Sequence, residues 1–289
     1  MANLTAAAPP MPAAPTPAAR PAPWGRWGLR GTALAYLTVL LIIPLVVILR
    51  DGLREGVGGL WDAIRVPAAA SALWLTLWTA ALMAVINAGM GTLTAWVMER
   101  HRFPGQNVLN ALIDLPLAIP TLVTGVMLVV LYGPQTVVGK WVQEVLGVRV
   151  IFAPPGIILA LLFVTYPFVV RAVQPVLAAL DRDEEEAAAT LGAGALTVFW
   201  RVTLPALAVP IASGTLLSFA RAIGEFGAIV IVAGNIPFKS QTAAVYVLGA
   251  VESENRLAAS AVSIVMLAIA YALVRMVDWL QHRRPERPE

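Results

Sequence analysis

Long apolar runs, each closed off by charge, follow one another along the chain. The first is Thr32–Leu49, preceded by Trp24, Trp27, Arg26 and Arg30. Residues 66–98 contain no charge, and a second apolar helix is expected there from about Ser71 to Val97. A third runs from about Val108 to Leu131, interrupted by Asp114, Pro116 and Pro120. A fourth covers about Gly156–Val170. The fifth begins near Pro205 and continues past Arg221 and Glu225 to about Ala233. The sixth, Leu257–Val277, ends in Trp279 and a basic tail. Apolar runs of about 18 residues with few charges suffice to cross a bilayer as helices. The pattern predicts an all-α integral membrane protein with six spans, so that both termini lie on one side.

Composition agrees. The 289 residues are 59% hydrophobic and 13% charged, against roughly 25% charged in a soluble domain, and mean hydropathy is +0.78. There is no cysteine, so disulfides and Cys-based metal sites are excluded. His101 and His282 are the two histidines, too few for a His-rich metal centre. The net charge of +3 is too small to argue for nucleic acid. Residues 1–22 are Ala/Pro-rich, and proline at that density prevents a helix, so a disordered tail is expected over 1–28. A single transmembrane domain is expected over 29–281, with its core at about 66–278 and a basic tail at 282–289. With both termini inside, the inner segments hold twelve Lys and Arg and the outer ones seven, leaving Arg221 within the membrane. That asymmetry puts the termini and the stretch 181–205 in the cytoplasm.

The stretch DRDEEEAAATLGAGALTVFWRVTLPAL, residues 181–207, is the odd one out. Asp181 and Asp183 can cap a helix, and Glu184, Glu185 and Glu186 fall in its first turn, where the helix dipole favours negative charge. Ala187, Ala188 and Ala189 are strong helix formers. Gly192 can take the left-handed backbone that ends the helix. A second short helix places Leu196, Phe199 and Trp200 on one face at i, i+3, i+4. Pro205 suits the first turn of the next span. The local reading is helix, sharp bend, helix, membrane. An exposed helix carrying Phe and Trp either docks on a partner or lies on lipid.

The order Glu186-Ala187-Ala188, Gly192, then Val202-Thr203-Leu204-Pro205 resembles the EAA loop of type I, binding-protein-dependent ABC importer permeases. The segments RFPGQNVLNALIDLPLAIPTLVTG (102–125), YPFVVRAVQPVL (166–177) and FARAIGEFGAIVIVAGNIPFKSQTA (219–243) are similar to the sulfate/thiosulfate subunits of that family. The resemblance implies a six-helix permease bundle with both termini cytoplasmic, in the cell's inner membrane. It implies coupling of a separate ATPase through Glu185, Glu186, Ala187, Ala188, Gly192, Phe199, Leu204 and Pro205. The implied partners are a second, paralogous permease subunit, two ATP-binding subunits, an external sulfate-binding protein and membrane lipid. No ATP-binding loop is found in the chain itself: GPQTVVGKW, Gly133–Trp141, has five residues between its glycines and Trp141 where Ser or Thr must hold magnesium. ATP and magnesium are therefore expected on the partner, with no cofactor, metal or catalytic residue here.

Within the spans, Arg221 and Glu225 are four apart and predicted to pair on one helix face. A structural lock and a gate beside the anion path both fit that pair. Gly224 and Gly227 flank it and permit close helix approach or a local break. Asp114, Pro116 and Pro120 suggest a kink, with Asp114 bonded to a neighbouring span; the alternative is that the broken segment lines the pathway. A molybdate or tungstate permease shares the GEFGA and AGNIP segments. An ion-coupled secondary transporter is the reading from a different class, and it leaves the loop at 181–205 unexplained.

Overall fold

The computed structural model describes residues 23–282, so the expectations for 1–22 and 283–289 fall outside the described residues, while 23–28, expected in the tail, are the first residues of a helix. The chain divides into two units, Met1–Val47 and Ile48–Glu289. The first holds helix α1 (Pro23–Leu37), a π-helical turn at Thr38–Ile42 and the start of helix α2 (Ile43–Gly52), whose last residues, from Ile48, belong to the second. The apolar helix Gly28–Gly52 is the first expected span, longer than its apolar run because the helix continues into the flanking charges.

The second unit contains the remaining helices. Helix α3 is Gly56–Arg65, α4 Pro67–Arg100, α5 Gln106–Ala118, α6 Thr121–Tyr132, α7 Val137–Leu146 and α8 Pro154–Ala178. They are followed by α9 at Arg182–Thr190, α10 at Ala195–Val198, α11 at Leu204–Ile223, α12 at Gly227–Ala233, α13 at Ala243–Glu252 and α14 at Arg256–His282. Pro67 and Pro154 stand in first turns, where a missing N–H costs little.

Helix α8 is the central post, packed between α4 and α11. Glycines set that spacing: a Cβ on Gly91 would come 2.9 Å from the Val169 side chain, and one on Gly214 3.0 Å from the Val169 Cα. Small residues allow backbones this close where apolar burial alone does not drive helix association. A buried polar cluster ties the same three helices. Asn87 Nδ2 donates to Thr165 Oγ1 at 2.9 Å, and Thr165 Oγ1 and Ser218 Oγ lie 2.9 and 3.5 Å from Met83 Sδ. Helix α14 packs on α11 and α13, and α12 on α6.

Two expected spans depart from straight helices. The third is the pair α5 and α6, bent by 110° rather than kinked. Its cause is Pro120: the residue before a proline is driven out of the helical region, and Ile119 is extended at φ −82°, ψ 129°. Pro116, by contrast, remains inside α5. The fifth expected span stops at Ile223, and its tail restarts as the separate helix α12. At the other end it begins earlier than Pro205: α10, a π-helical turn at Phe199–Thr203 and α11 form one continuous apolar helix, Ala195–Ile223. Both π-turns end two residues before a proline, Pro44 and Pro205. Widening the helix there relieves the clash of the proline ring with the carbonyl four residues back. Counting the bent pair as one, six elements among the described residues are apolar and long enough to cross a membrane.

Candidate functional site

At the end of the bundle carrying residues 181–205, Asp181 caps α9, its carboxylate accepting the Asp183 N–H at 3.1 Å. Asp183, Glu184 and Glu185 occupy the first turn of α9. Gly192 is left-handed at φ +88°, and Ala193 N–H closes the helix end on Ala188 O at 3.1 Å. The capped helix and sharp bend are as the sequence indicates. The second helix differs, since it runs on into α11 with Leu204 and Pro205 inside the continuous rod.

The loop's side chains divide into two sets. Glu186 and Ala187 face outward and Ala188 is half-buried. Around the bend Leu191, Leu196 and Trp200 are 89%, 73% and 59% exposed, an apolar surface bracketing Gly192. Phe199 does not share it. Its ring turns inward and meets Trp96 of α4 edge-on at 5.7 Å, because the π-turn rotates it away from the Leu196 face. Glu185 also turns inward. Its Oε1 accepts Arg100 Nη2 of α4 at 2.9 Å and Thr203 Oγ1 at 2.9 Å.

Beside this cluster a polar chain leads into the bundle. Arg182 donates to the Glu99 carbonyl at 3.3 Å, and Gln174 Nε2 to the Glu99 carboxylate at 2.7 Å. Arg171 donates to Gln174 at 2.6 Å and grips Asp114 with two hydrogen bonds, 2.8 and 2.6 Å. Asp114 is thus bonded to the neighbouring helix α8, the fork of the guanidinium matching the carboxylate.

The second locus is the gap between α11 and α12. Arg221 Nη1 lies 2.7 Å from Glu225 Oε2, so the expected pair forms, but across a helix break. The other carboxylate oxygen, Oε1, accepts the Ala228 N–H at 3.0 Å and caps α12. Glu225 is almost fully buried, whereas about a third of the Arg221 side chain remains exposed. Gly224 does not use a left-handed backbone, and a Cβ there would meet nothing nearer than 3.9 Å. Gly227 is the closely approached glycine: a Cβ on it would fall on Thr121 Oγ1 and 3.0 Å from the Leu122 nitrogen. The gap after Ile223 and the bend after Pro120 therefore touch each other. A cavity of about 570 Å³ lies alongside, among Ile113, Pro116, Thr124, Leu128, Phe163 and Tyr166, and it is apolar. Among the described residues no three His, Cys, Asp or Glu side chains converge as a metal site.

Arg100 and Arg171 carry no role in the sequence reading, and Thr203 enters it only as part of the Val202–Pro205 motif. Each is an ordinary span-end residue whose partner lies far along the chain, with separations of 85, 18 and 57 residues. Periodicity carries no signal for such pairs.

Residues 87–284 match the model of the binding-protein-dependent transport system inner membrane component. The chain belongs to that family. The permease is 40% identical over 248 residues to the probable sulfate transport system permease protein cysT of Chlorokybus atmophyticus, covering 86% of each chain. It is 37% identical over 253 residues to the sulfate transport system permease protein CysT of Escherichia coli, covering 88% of this chain and 91% of that one. Among solved structures it resembles a bacterial ABC transporter involved in the import of the acidic polysaccharide alginate. The TM-score is 0.74 at 16% identity, over 91% of this chain and 96% of the other, a likeness of fold. The same fold recurs in the alginate transporter complexed with a pentasaccharide-bound periplasmic protein, again at TM-score 0.74 and 16% identity, over 90% and 94%. The permease is a multi-pass inner-membrane protein with the all-α ABC importer permease fold.

Proposed function

We propose that the permease is the membrane subunit of an ATP-driven sulfate/thiosulfate importer. The observation that carries this is its 37–40% identity, along nearly the whole chain, to permeases named for sulfate transport. It forms one half of the anion pathway, the other half coming from a paralogous second permease subunit. Two ATP-binding subunits supply ATP and magnesium, an external sulfate-binding protein delivers the anion, and no step of ATP chemistry occurs on this chain. Both termini and the loop 181–205 lie in the cytoplasm, and the tails 1–28 and 282–289 flank the membrane domain.

Glu186, Ala187, Ala188 and the exposed rim of Leu191, Leu196 and Trp200 around Gly192 present a surface to the ATPase. Glu185, Phe199, Leu204 and Pro205 hold that surface on the bundle. The touching breaks, with Asp114, Pro116 and Pro120 on one side and Arg221, Gly224, Glu225 and Gly227 on the other, form the gate element of the pathway. An Arg already neutralised by Glu225 holds a dianion weakly, which suits a pathway that must release its cargo.

Uptake of labelled sulfate tests this reading. In cells lacking their own sulfate permease subunits, this chain expressed with its paired permease, ATPase and binding protein restores sulfate uptake, which unlabelled thiosulfate suppresses and molybdate does not. Uptake of molybdate instead of sulfate overturns the assignment of the anion.

A further inference from the structure

Adjacent glutamates of α9 face opposite ways, and the difference assigns them different work. Glu186 is exposed, while Glu185 is mostly buried against the bundle. One oxygen of Glu185 accepts two hydrogen bonds, from Arg100 at the end of α4 and from Thr203 at the base of α11, each at 2.9 Å. The Arg100 side chain is only 9% exposed, and its Nε has no hydrogen-bond partner, so Glu185 supplies the charge that lets this guanidinium be buried. Thr203 is itself 1% exposed.

We propose that Glu185 is a positioning residue, an internal clamp that fastens the loop helix α9 to α4 and α11, so that displacement of the loop moves those helices with it. This rests on the coupling role given to the loop above. Thr203 is the last residue of the π-turn, and α11 follows without a break for 20 residues, about 30 Å. At its far end α11 carries Arg221, which holds Glu225 across the gap. A rigid helix gripped at its base by Glu185 therefore reaches the gate element directly. A second limb runs from Arg182 and Glu99 through Gln174 and Arg171 to Asp114, on the helix that ends at the 110° bend. Both breaks are thus tied to the loop by charged or buried hydrogen bonds, which hold geometry better than apolar contact does.

A role in stability alone and a role in transmission make different predictions for the assembled complex. The complete transporter is purified with Glu185→Ala, Thr203→Val or Glu186→Lys in this subunit and placed in vesicles with binding protein and sulfate. ATP hydrolysis and sulfate uptake are measured on the same preparation. Glu185→Ala and Thr203→Val are expected to keep the ATPase bound and hydrolysing, with sulfate carried per ATP reduced about tenfold by Thr203→Val, which removes one charge-assisted hydrogen bond, and further by Glu185→Ala, which removes two and leaves Arg100 without its carboxylate. The proposal is overturned if that ratio is unchanged, or if uptake and hydrolysis fall together in proportion to the complex recovered. Thr203→Val keeps the shape of the side chain and carries the test if Glu185→Ala does not assemble. Glu186→Lys separates the two readings: it is expected to lower the amount of ATPase recovered with the complex. If it keeps normal binding and uptake, the loop is not the coupling element and the clamp falls with it.

Discussion

Arg221, in the last turn of α11, holds Glu225 across the gap before α12, with 2.7 Å between Nη1 and Oε2. The same carboxylate caps α12 through the Ala228 N–H. Removing Glu225 therefore breaks two interactions at a buried point. Glu225→Ala is expected to cost between the ~1 kcal/mol of an exposed pair and the ~3–5 kcal/mol of a fully buried one, because part of Arg221 stays exposed. Glu225→Gln, which keeps an acceptor for Ala228, costs less. The exchange Arg221→Glu with Glu225→Arg does not restore stability, since arginine has no acceptor for that N–H. Thermal unfolding of the detergent-extracted protein checks all three, and recovery in the exchanged variant contradicts the capping role.

The approach of α12 to α6 gives a second prediction. Gly227→Ala places a methyl group on Thr121 Oγ1, and Gly125→Ala places one against the Ala228 carbonyl. Each is expected to lose about 1–3 kcal/mol through overpacking. Thr121→Ala in combination with Gly227→Ala recovers part of the loss, but not all, because the Leu122 nitrogen stays 3.0 Å from the new Cβ. A double-mutant cycle on thermal stability measures the recovery, and strict additivity argues against this contact.

Gly192 offers the cleanest test of the loop's shape. Its φ of +88° is one that residues with side chains rarely adopt, yet a Cβ there meets open space. The effect of substitution is therefore a backbone effect of about 1–2 kcal/mol on the bend. Gly192→Val is expected to reduce capture of the ATPase by the membrane subunit. Gly192→Asn, whose side chain tolerates the left-handed region, largely preserves it. Equal capture by both variants indicates that the bend does not position the docking surface.

Asp114 and Arg171 supply a fourth. Both side chains are partly exposed, so the pair is worth on the order of 1 kcal/mol despite its two short bonds. Arg171→Lys loses the fork and is expected to lower the melting temperature about as much as Asp114→Ala does. A lysine variant as stable as wild type shows that charge alone, not the bidentate geometry, fixes α5 on α8.

What the sequence revealed was local. The Asp181 cap, the Gly192 bend and the Arg221–Glu225 pair each lie within a few residues, where helix geometry dictates who meets whom. The breaks were harder. Pro116 and Pro120 look alike as letters, but only Pro120 ends a helix, because Ile119 before it is free to extend. Glu185 and Glu186 are likewise indistinguishable by composition. Which one faces inward depends on Arg100, 85 residues away. The inward turn of Phe199 depends on a π-turn that propensity does not encode.

The most direct test of the central claim is the energy source of uptake. The complete transporter is reconstituted in vesicles with ATP inside or outside, with and without a proton or sodium gradient, and labelled sulfate entry is followed in the presence of binding protein. Entry that requires ATP on the side of the loop 181–205, requires binding protein and is indifferent to either gradient is the predicted result. Sulfate entry driven by a gradient in the absence of ATP contradicts the account.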